Sequence, residues 1–222
     1  MNFFKDILGS NKNESNVEFY KNENGLHTLG GTFPADFTVP ENKFLSGFQY
    51  VGFINSSDKY FNWLPFDVHL ICPIYLDIEN VYLDYSNPNA PKILAPEDSS
   101  EITSAFDELK KDSIIQFKQS KLSLREFEGL TDENELTILG IAGKPNLLQD
   151  DDVPICPKSG KKMKFLCQFS TWNQIETEFT NVECEDKFMQ QYFERMNFWC
   201  DGSLYVFIEP ESKTVCYYIQ NT

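Results

Sequence analysis

Histidine is the scarcest chemically useful residue in this chain, with 2 copies in 222 residues. Nucleophilic catalysis needs a base beside its nucleophile, so the scarcity removes most dyads and triads at once. His69 stands three residues before Cys72 in a run that reads as a strand, where such positions point to opposite faces. His27, just before Gly30-Gly31, reads as a hydrogen-bonded surface residue. The six cysteines include no Cys-x-x-Cys pair. Cys156, Cys167, Cys184 and Cys200 are too scattered for the close ligand pairs of a structural zinc site, so neither a metal nor a cofactor is expected. No Gly-Lys-Ser/Thr follows the glycine pair, which excludes a phosphate loop there. Apolar runs fall well short of the ~18–20 residues of a membrane-spanning helix, and no membrane partner is expected. The first residues, Met1 to Asp6, lack the basic start of a secretory signal. The expected location is therefore cytoplasmic, with reduced thiols.

Bases are also few. Nineteen Lys and Arg face 34 Asp and Glu, giving a formal net charge of −15. Such a surface repels phosphate backbones, which argues against nucleic acid as a partner. The excess is not a tail, because residues 1–97 carry 12 acids and 6 bases, and the rest carry the remainder. Asp150-Asp151-Asp152 lacks the spacing and glycine of a calcium loop and reads as a solvated turn. The one basic cluster is Lys158, Lys161, Lys162 and Lys164. Of these, Lys158, Lys161 and Lys162 are the candidate ligand or partner contacts, although a solvated turn with lysines flanking a strand is the favoured reading. No catalytic set stands out.

Aromatic residues are plentiful: 20 Phe, 10 Tyr and 3 Trp. That composition belongs to a folded chain with a large core. Four segments organise it. Residues 1–25 read as a polar segment with a helical start. Residues 26–97 read as a first β-rich unit, with strands at Phe48–Ile54, Val68–Leu76 and Val81–Tyr85. Residues 98–135 read as a helical connector, with Ile102, Phe106 and Leu109 at helical spacing. Residues 136–222 read as a second β-rich unit, with a strand at Lys164–Phe169 and a hairpin of Leu204–Ile208 and Val215–Ile219. Cys72, Cys167 and Cys216 sit in apolar runs and read as small core residues.

The two β-rich units share a grammar of glycine–proline turn, loop, aromatic strand and terminal hairpin. It aligns Tyr50-Val51 with Phe165-Leu166, Leu70-Ile71 with Leu204-Tyr205, and Val81-Tyr82-Leu83 with Val215-Cys216-Tyr217, which points to a duplication. The expected fold is α+β: two duplicated, mostly antiparallel β-rich units packed together with a few helices, in one compact domain. Within it, Phe165, Phe169, Tyr205 and Phe207 are expected to share one core. A helix over Cys184–Met196 should cover it, with Phe188, Tyr192 and Met196 facing the sheet.

Leu29-Gly30-Gly31-Thr32-Phe33-Pro34, Pro40 and the strand at Phe48 resemble the opening of the YwqG-like family, a bacterial family of unknown function. Gly143-Lys144-Pro145, Cys156-Pro157-Lys158-Ser159-Gly160 and Gly202-Ser203-Leu204-Tyr205 resemble its second half. The resemblance spans roughly residues 28–220. It implies an internally duplicated α+β fold and no established activity. The chain departs from it where Ser159 stands in place of the second cysteine of a Cys-Pro-x-Cys-Gly knuckle, and where Gly52-Phe53 stand in place of a frequent glutamine. Two functional classes follow. The favoured one is a non-catalytic protein-binding or regulatory module, immunity-type included, whose acidic surface steers a basic partner. The alternative is an enzyme or small-ligand binder with a pocket between the two units. Oligomeric state is not legible.

Overall fold

The computed structural model describes residues 16–41, 47–73, 76–77, 80–94, 103–104, 109–110, 112–129, 138–149, 153–198 and 202–220. It corrects the α+β expectation. The chain is mostly β, 45% strand and 6% helical with one short helix, and it forms a curled antiparallel half-barrel sheet. The expected helical start at Met1–Leu8 lies outside the described residues, as does most of the connector helix. Within that connector, Thr103–Ser104 is a strand paired with Leu76–Asp77.

The main sheet has twelve strands. In chain order they are β1 (Val17–Lys21), β2 (His27–Gly31), β3 (Phe48–Ile54), β4 (Val68–Pro73), β6 (Val81–Asp84), β7 (Lys92–Leu94), β9 (Ile115–Glu126), β10 (Gly140–Ala142), β11 (Lys164–Ser170), β12 (Thr177–Thr180), β13 (Ser203–Glu209) and β14 (Thr214–Gln220). The pair outside it is β5 (Leu76–Asp77) and β8 (Thr103–Ser104). Across the sheet the order is β4-β3-β2-β9-β1-β10-β11-β13-β14-β6-β7, with β12 added to β9.

This order contains the same three-strand meander twice, β2-β3-β4 and β10-β11-β13. A bulge leaves Val51 unpaired between Tyr50 and Gly52 in one, and Leu166 unpaired between Phe165 and Cys167 in the other. Aligning the bulges matches Tyr50 with Phe165 and Val51 with Leu166. It also matches Ile71 with Phe207 and His69 with Tyr205, two residues away from the alignment read off the sequence. The meanders are not separate packed units. β1 lies between β9 and β10, and β9 lies between β1 and β2, so each half's leading strand pairs beside the other half's second strand. That exchange leaves no unpaired edge at the centre, where an open edge would expose its amides. The segments read as duplicated hairpin strands are direct neighbours: Val215, Cys216 and Tyr217 pair with Leu83, Tyr82 and Val81.

Local chemistry explains these elements. β1 alternates buried Val17 and Phe19 with partly exposed Glu18 and Tyr20. The glycine pair ends β2 at φ +72° and +105°, a region side chains other than glycine disfavour. In β3, a side chain at Gly52 would collide with the Thr28 carbonyl of β2, and such close approach with a bulge beside it bends a sheet. Curling brings the edge of β4 toward β14. Tyr85 Oη donates to the His69 carbonyl at 2.7 Å and lies 2.8 Å from Tyr217 Oη, with Phe66 stacked on the Tyr85 ring.

The core has two compartments. Leu204, Val206, Ile208, Val215, Tyr217, Leu166, Cys167 and Phe169 join the large inner cluster. Phe165, Tyr205, Phe207, Cys216 and Tyr218 form a second cluster on the outer face, under Cys156, Met163, Leu147 and Val153. The expected single core is therefore divided. The bulge at Leu166 shifts the alternation, so Phe165 and Phe169 point to opposite faces. The outer cluster is covered by Leu147, Val153, Cys156 and Met163, not by the segment 184–196.

Candidate functional site

The expected cover helix is four residues long, α1 (Lys187–Gln190), and runs into a 3₁₀ turn at Gln191–Phe193. Asp186 caps it, its carboxylate accepting from Phe188 N at 2.8 Å. Phe193, Met196 and Phe198 are buried at 1%, 0% and 0% exposure, whereas Phe188 is 63% exposed. The expected inward face is thus reversed at Phe188, which packs on Tyr192 at the surface instead of on the sheet.

Beneath this turn lies a framework tied by hydrogen bonds. Ser170 Oγ accepts from Trp172 N and opens a 3₁₀ turn at Thr171–Asn173, which Gln174 ends at φ 58°. Fully buried Asn173 donates to the carbonyls of Ser170 and Met196 and accepts from Ile175 N. Thr171 Oγ1 accepts from Phe198 N at 3.0 Å. Met196 N donates to the Ile175 carbonyl at 2.7 Å, and Thr177 N to that of Glu194 at 2.9 Å.

Between framework and turn is a cleft of about 320 Å³ lined by Thr171, Trp172, Phe188, Gln191, Tyr192, Arg195 and Asn197. Phe188 and Tyr192 meet edge to face, with centroids 5.9 Å apart. Asn197 is 5% exposed, and its Oδ1 is buried without a hydrogen-bond partner. Arg195 forms no ion pair among the described residues, although the segments building the cleft carry exposed Glu176, Glu178, Glu183, Glu185, Asp186 and Glu194. The sequence reading missed this cleft. Its one available signal was charge: Asp186 and Lys187 beside Phe188, and Glu194 and Arg195 after Tyr192, are poor company for a buried helix face.

The lysine cluster is tied to its own protein. Lys158 Nζ donates to the Ser212 carbonyl at 2.9 Å and lies 3.2 Å from the Asp84 carboxylate. Lys161 pairs with Glu211 at 2.5 Å, both exposed. Lys164 Nζ sits 3.9 Å from the Trp63 ring centroid. Lys162 is exposed, on a bridge to Ile155. The four therefore do not converge on a shared anion site.

Next to them, Cys156 has its carbonyl bound by Gly160 N and its own N–H given to Lys161 O. Its sulfur lies 3.3 Å from Ser212 Oγ. Burial pushes the Cys156 thiol up, but the hydroxyls of Ser159, Ser212 and Thr214 and the Ser159 amide outweigh it and hold it at about 7. Ser159 thus serves the Cys156 sulfur at the knuckle position where the resemblance implies a second cysteine. Cys156 is fully buried. Among the described residues no three His, Cys, Asp or Glu side chains gather as a metal site. Cys72, Cys167 and Cys216 lie in the core as free thiols; Cys200 lies outside the described residues.

Among the described residues, neither histidine is hydrogen-bonded to a thiol. His27 is fully buried, not at the surface, between Phe19 and Phe61. Its Nδ1 accepts from Asn55 N at 3.1 Å, which leaves Nε2–H to donate to Asp58 at 3.2 Å. His69 Nδ1 lies in hydrogen-bond contact with Tyr50 Oη at 2.8 Å, among Phe37 and Phe53. Burial holds both imidazoles below their ordinary pKa and pushes Tyr50 up to about 12. An imidazole kept neutral and a phenol kept protonated make a structural hydrogen bond, not an activated nucleophile.

A second cavity, of about 150 Å³, lies where the two meanders meet, lined by Val17, Tyr60, Trp63, Gly143, Lys164 and neighbours. Among the described residues no helix is long and apolar enough to cross a membrane. The chain matches no family model, and no curated protein or solved structure matches it.

Proposed function

We propose that this protein is a non-catalytic recognition module that binds a protein partner through the Trp172–Phe188–Tyr192–Arg195 cleft. The observation that carries the reading is Phe188: a phenylalanine left 63% exposed on a capped turn, edge to face with Tyr192, at the mouth of a cleft lined by Arg195, which forms no ion pair among the described residues. Trp, Tyr and Arg are the residues that dominate binding energy at protein interfaces. The acidic segments around the cleft favour a basic partner surface, steering encounter more than adding affinity. The alternative, a small-ligand pocket between the two meanders, rests on the cavity of about 150 Å³. That is below the ~300–1,000 Å³ of typical ligand sites, and Lys164 over Trp63 caps it. Membership of the YwqG-like family and a cytoplasmic, regulatory or immunity-type role are part of the same proposal and rest on the sequence motifs and charge.

The test is affinity purification from the native host with wild type and Phe188→Ser side by side, each verified as folded by circular dichroism. The expected result is a stoichiometric partner held by wild type and lost from the variant. Identical partners for both proteins, or none for either, contradict the reading.

A further inference from the structure

We infer that the cleft takes from its partner an aromatic side chain that carries its own ring donor, the indole N–H of tryptophan or the phenol O–H of tyrosine, within a basic segment. This deepens the recognition reading above and rests on it. Three observations converge on that chemistry. Trp172, Phe188 and Tyr192 offer ring faces and edges around about 320 Å³, room for one large side chain, and rings prefer offset or edge-to-face partners. Asn197, on the same lining, holds a buried oxygen with no donor. An orphan acceptor is costly unless something satisfies it; rotation about the soft χ2 of an asparagine presents its oxygen to the cleft. Arg195 supplies a cation on the lining without an acid of its own among the described residues, suited to lie over an incoming ring.

These features exclude other anchors. A lysine or arginine side chain would satisfy Asn197 but meet Arg195 as a like charge. A carboxylate or phosphate would suit Arg195 but give the Asn197 oxygen no donor, in segments that already carry six acids. Phenylalanine or leucine would fill the rings and leave the oxygen unpaired. Only an aromatic ring with an N–H or O–H uses all three.

The test uses isosteric fragments and the full-length protein. Toluene and p-cresol, then indene and indole, are titrated up to about 10 mM against indole-labelled protein, following the Trp172 Nε1–H signal by NMR. Wild type should bind p-cresol and indole about tenfold more tightly than their donor-free isosteres, the scale of one buried unmatched polar group. Asn197→Leu should bring that ratio close to one while toluene still binds, which shows that the cleft is intact. Equal binding of isosteres by wild type, a preference that survives Asn197→Leu, or no binding of any fragment overturns the inference. If fragments fail to discriminate while Phe188→Ser still loses its partner, the anchor chemistry is wrong and the recognition reading stands. The converse result keeps the cleft chemistry and removes the protein partner.

Discussion

At matching places in the two meanders, the outer face of the sheet carries a ring with a polar group: His69 in β4 and Tyr205 in β13. Tyr205 is fully buried. Its hydroxyl donates to the Asn146 carbonyl at 2.5 Å and accepts from Gln168 Nε2 at 3.3 Å, while Gln168 Oε1 accepts from Asn146 N. Stacked Tyr218, with Leu147, Val153, Cys156 and Met163, closes over it. His69 has one side-chain partner, Tyr50, and a thinner cover of half-buried Phe33 and Phe37. The same strand geometry thus supports a second dry core in one half and a partly wet aromatic cluster in the other. What differs is the covering chain: it is fastened to the sheet by a glutamine and a tyrosine in the second half, and rests on a histidine in the first.

Truncation should separate the halves most strongly. Phe207 packs edge to face on Phe165, with centroids 5.4 Å apart, and is 1% exposed. Phe207→Ala should cost about 3–5 kcal/mol in urea unfolding, a large share of a typical ~5–15 kcal/mol. Half-buried Phe37, which packs on His69 in the first half, should cost only about 1–2 kcal/mol as Phe37→Ala. Equal losses would erase the contrast. Next in size is Tyr85→Phe, which leaves the His69 carbonyl and the Tyr217 hydroxyl without their partner across the curl and should cost about 1–3 kcal/mol. A variant as stable as wild type would show that this closure does not bear on folding.

Acid should act through the histidines and hence on the first half. Both native imidazoles hold protons less readily than in the unfolded chain. The unfolded state therefore takes up more protons below about pH 6.5, and stability falls as pH drops from there through the native pKa values. Above that range these groups contribute no slope. His69→Gln should reduce the slope of the urea midpoint between pH 5 and 7, leaving the His27 share. An unchanged slope would deny His69 a part. The smallest effect is expected from Lys161→Ala, whose partner Glu211 is even more exposed than itself; its midpoint should match wild type. Lys158→Ala, which loses Asp84 and the Ser212 carbonyl, should show the larger shift of the two.

Much of the sheet was legible where alternation is unbroken. The strands at Phe48, Lys164, Leu204 and Val215 stand within a residue or two of their expected bounds. Beyond Phe117, β9 was hidden because its apolar phase changes: Ile115 and Phe117 occupy odd positions, Leu122 and Leu124 even ones, and polar Lys118–Lys121 lie between. The change falls in the stretch where the register of β9 against β2 slips. The strand exchange at the centre was not readable, since pairing partners of β1 and β9 are set by the curl of the whole sheet rather than by either segment. The candidate site was misread for a local reason. Cys184, Phe188, Tyr192 and Met196 do recur at helical spacing, but the helix stops at Gln190, and spacing has meaning only while the helix lasts.

The central claim, that recognition occurs at the Phe188 cleft, can be met directly by site-specific photo-crosslinking. Benzoylphenylalanine replaces Phe188 in one protein and Leu26 in another, both exposed apolar positions, 63% and 49%, with Leu26 outside the cleft. In native-host extract, irradiation should yield one discrete adduct from position 188 that excess p-cresol diminishes, and none from position 26. Adducts of equal yield at both positions, or an adduct at 26 alone, would contradict the account.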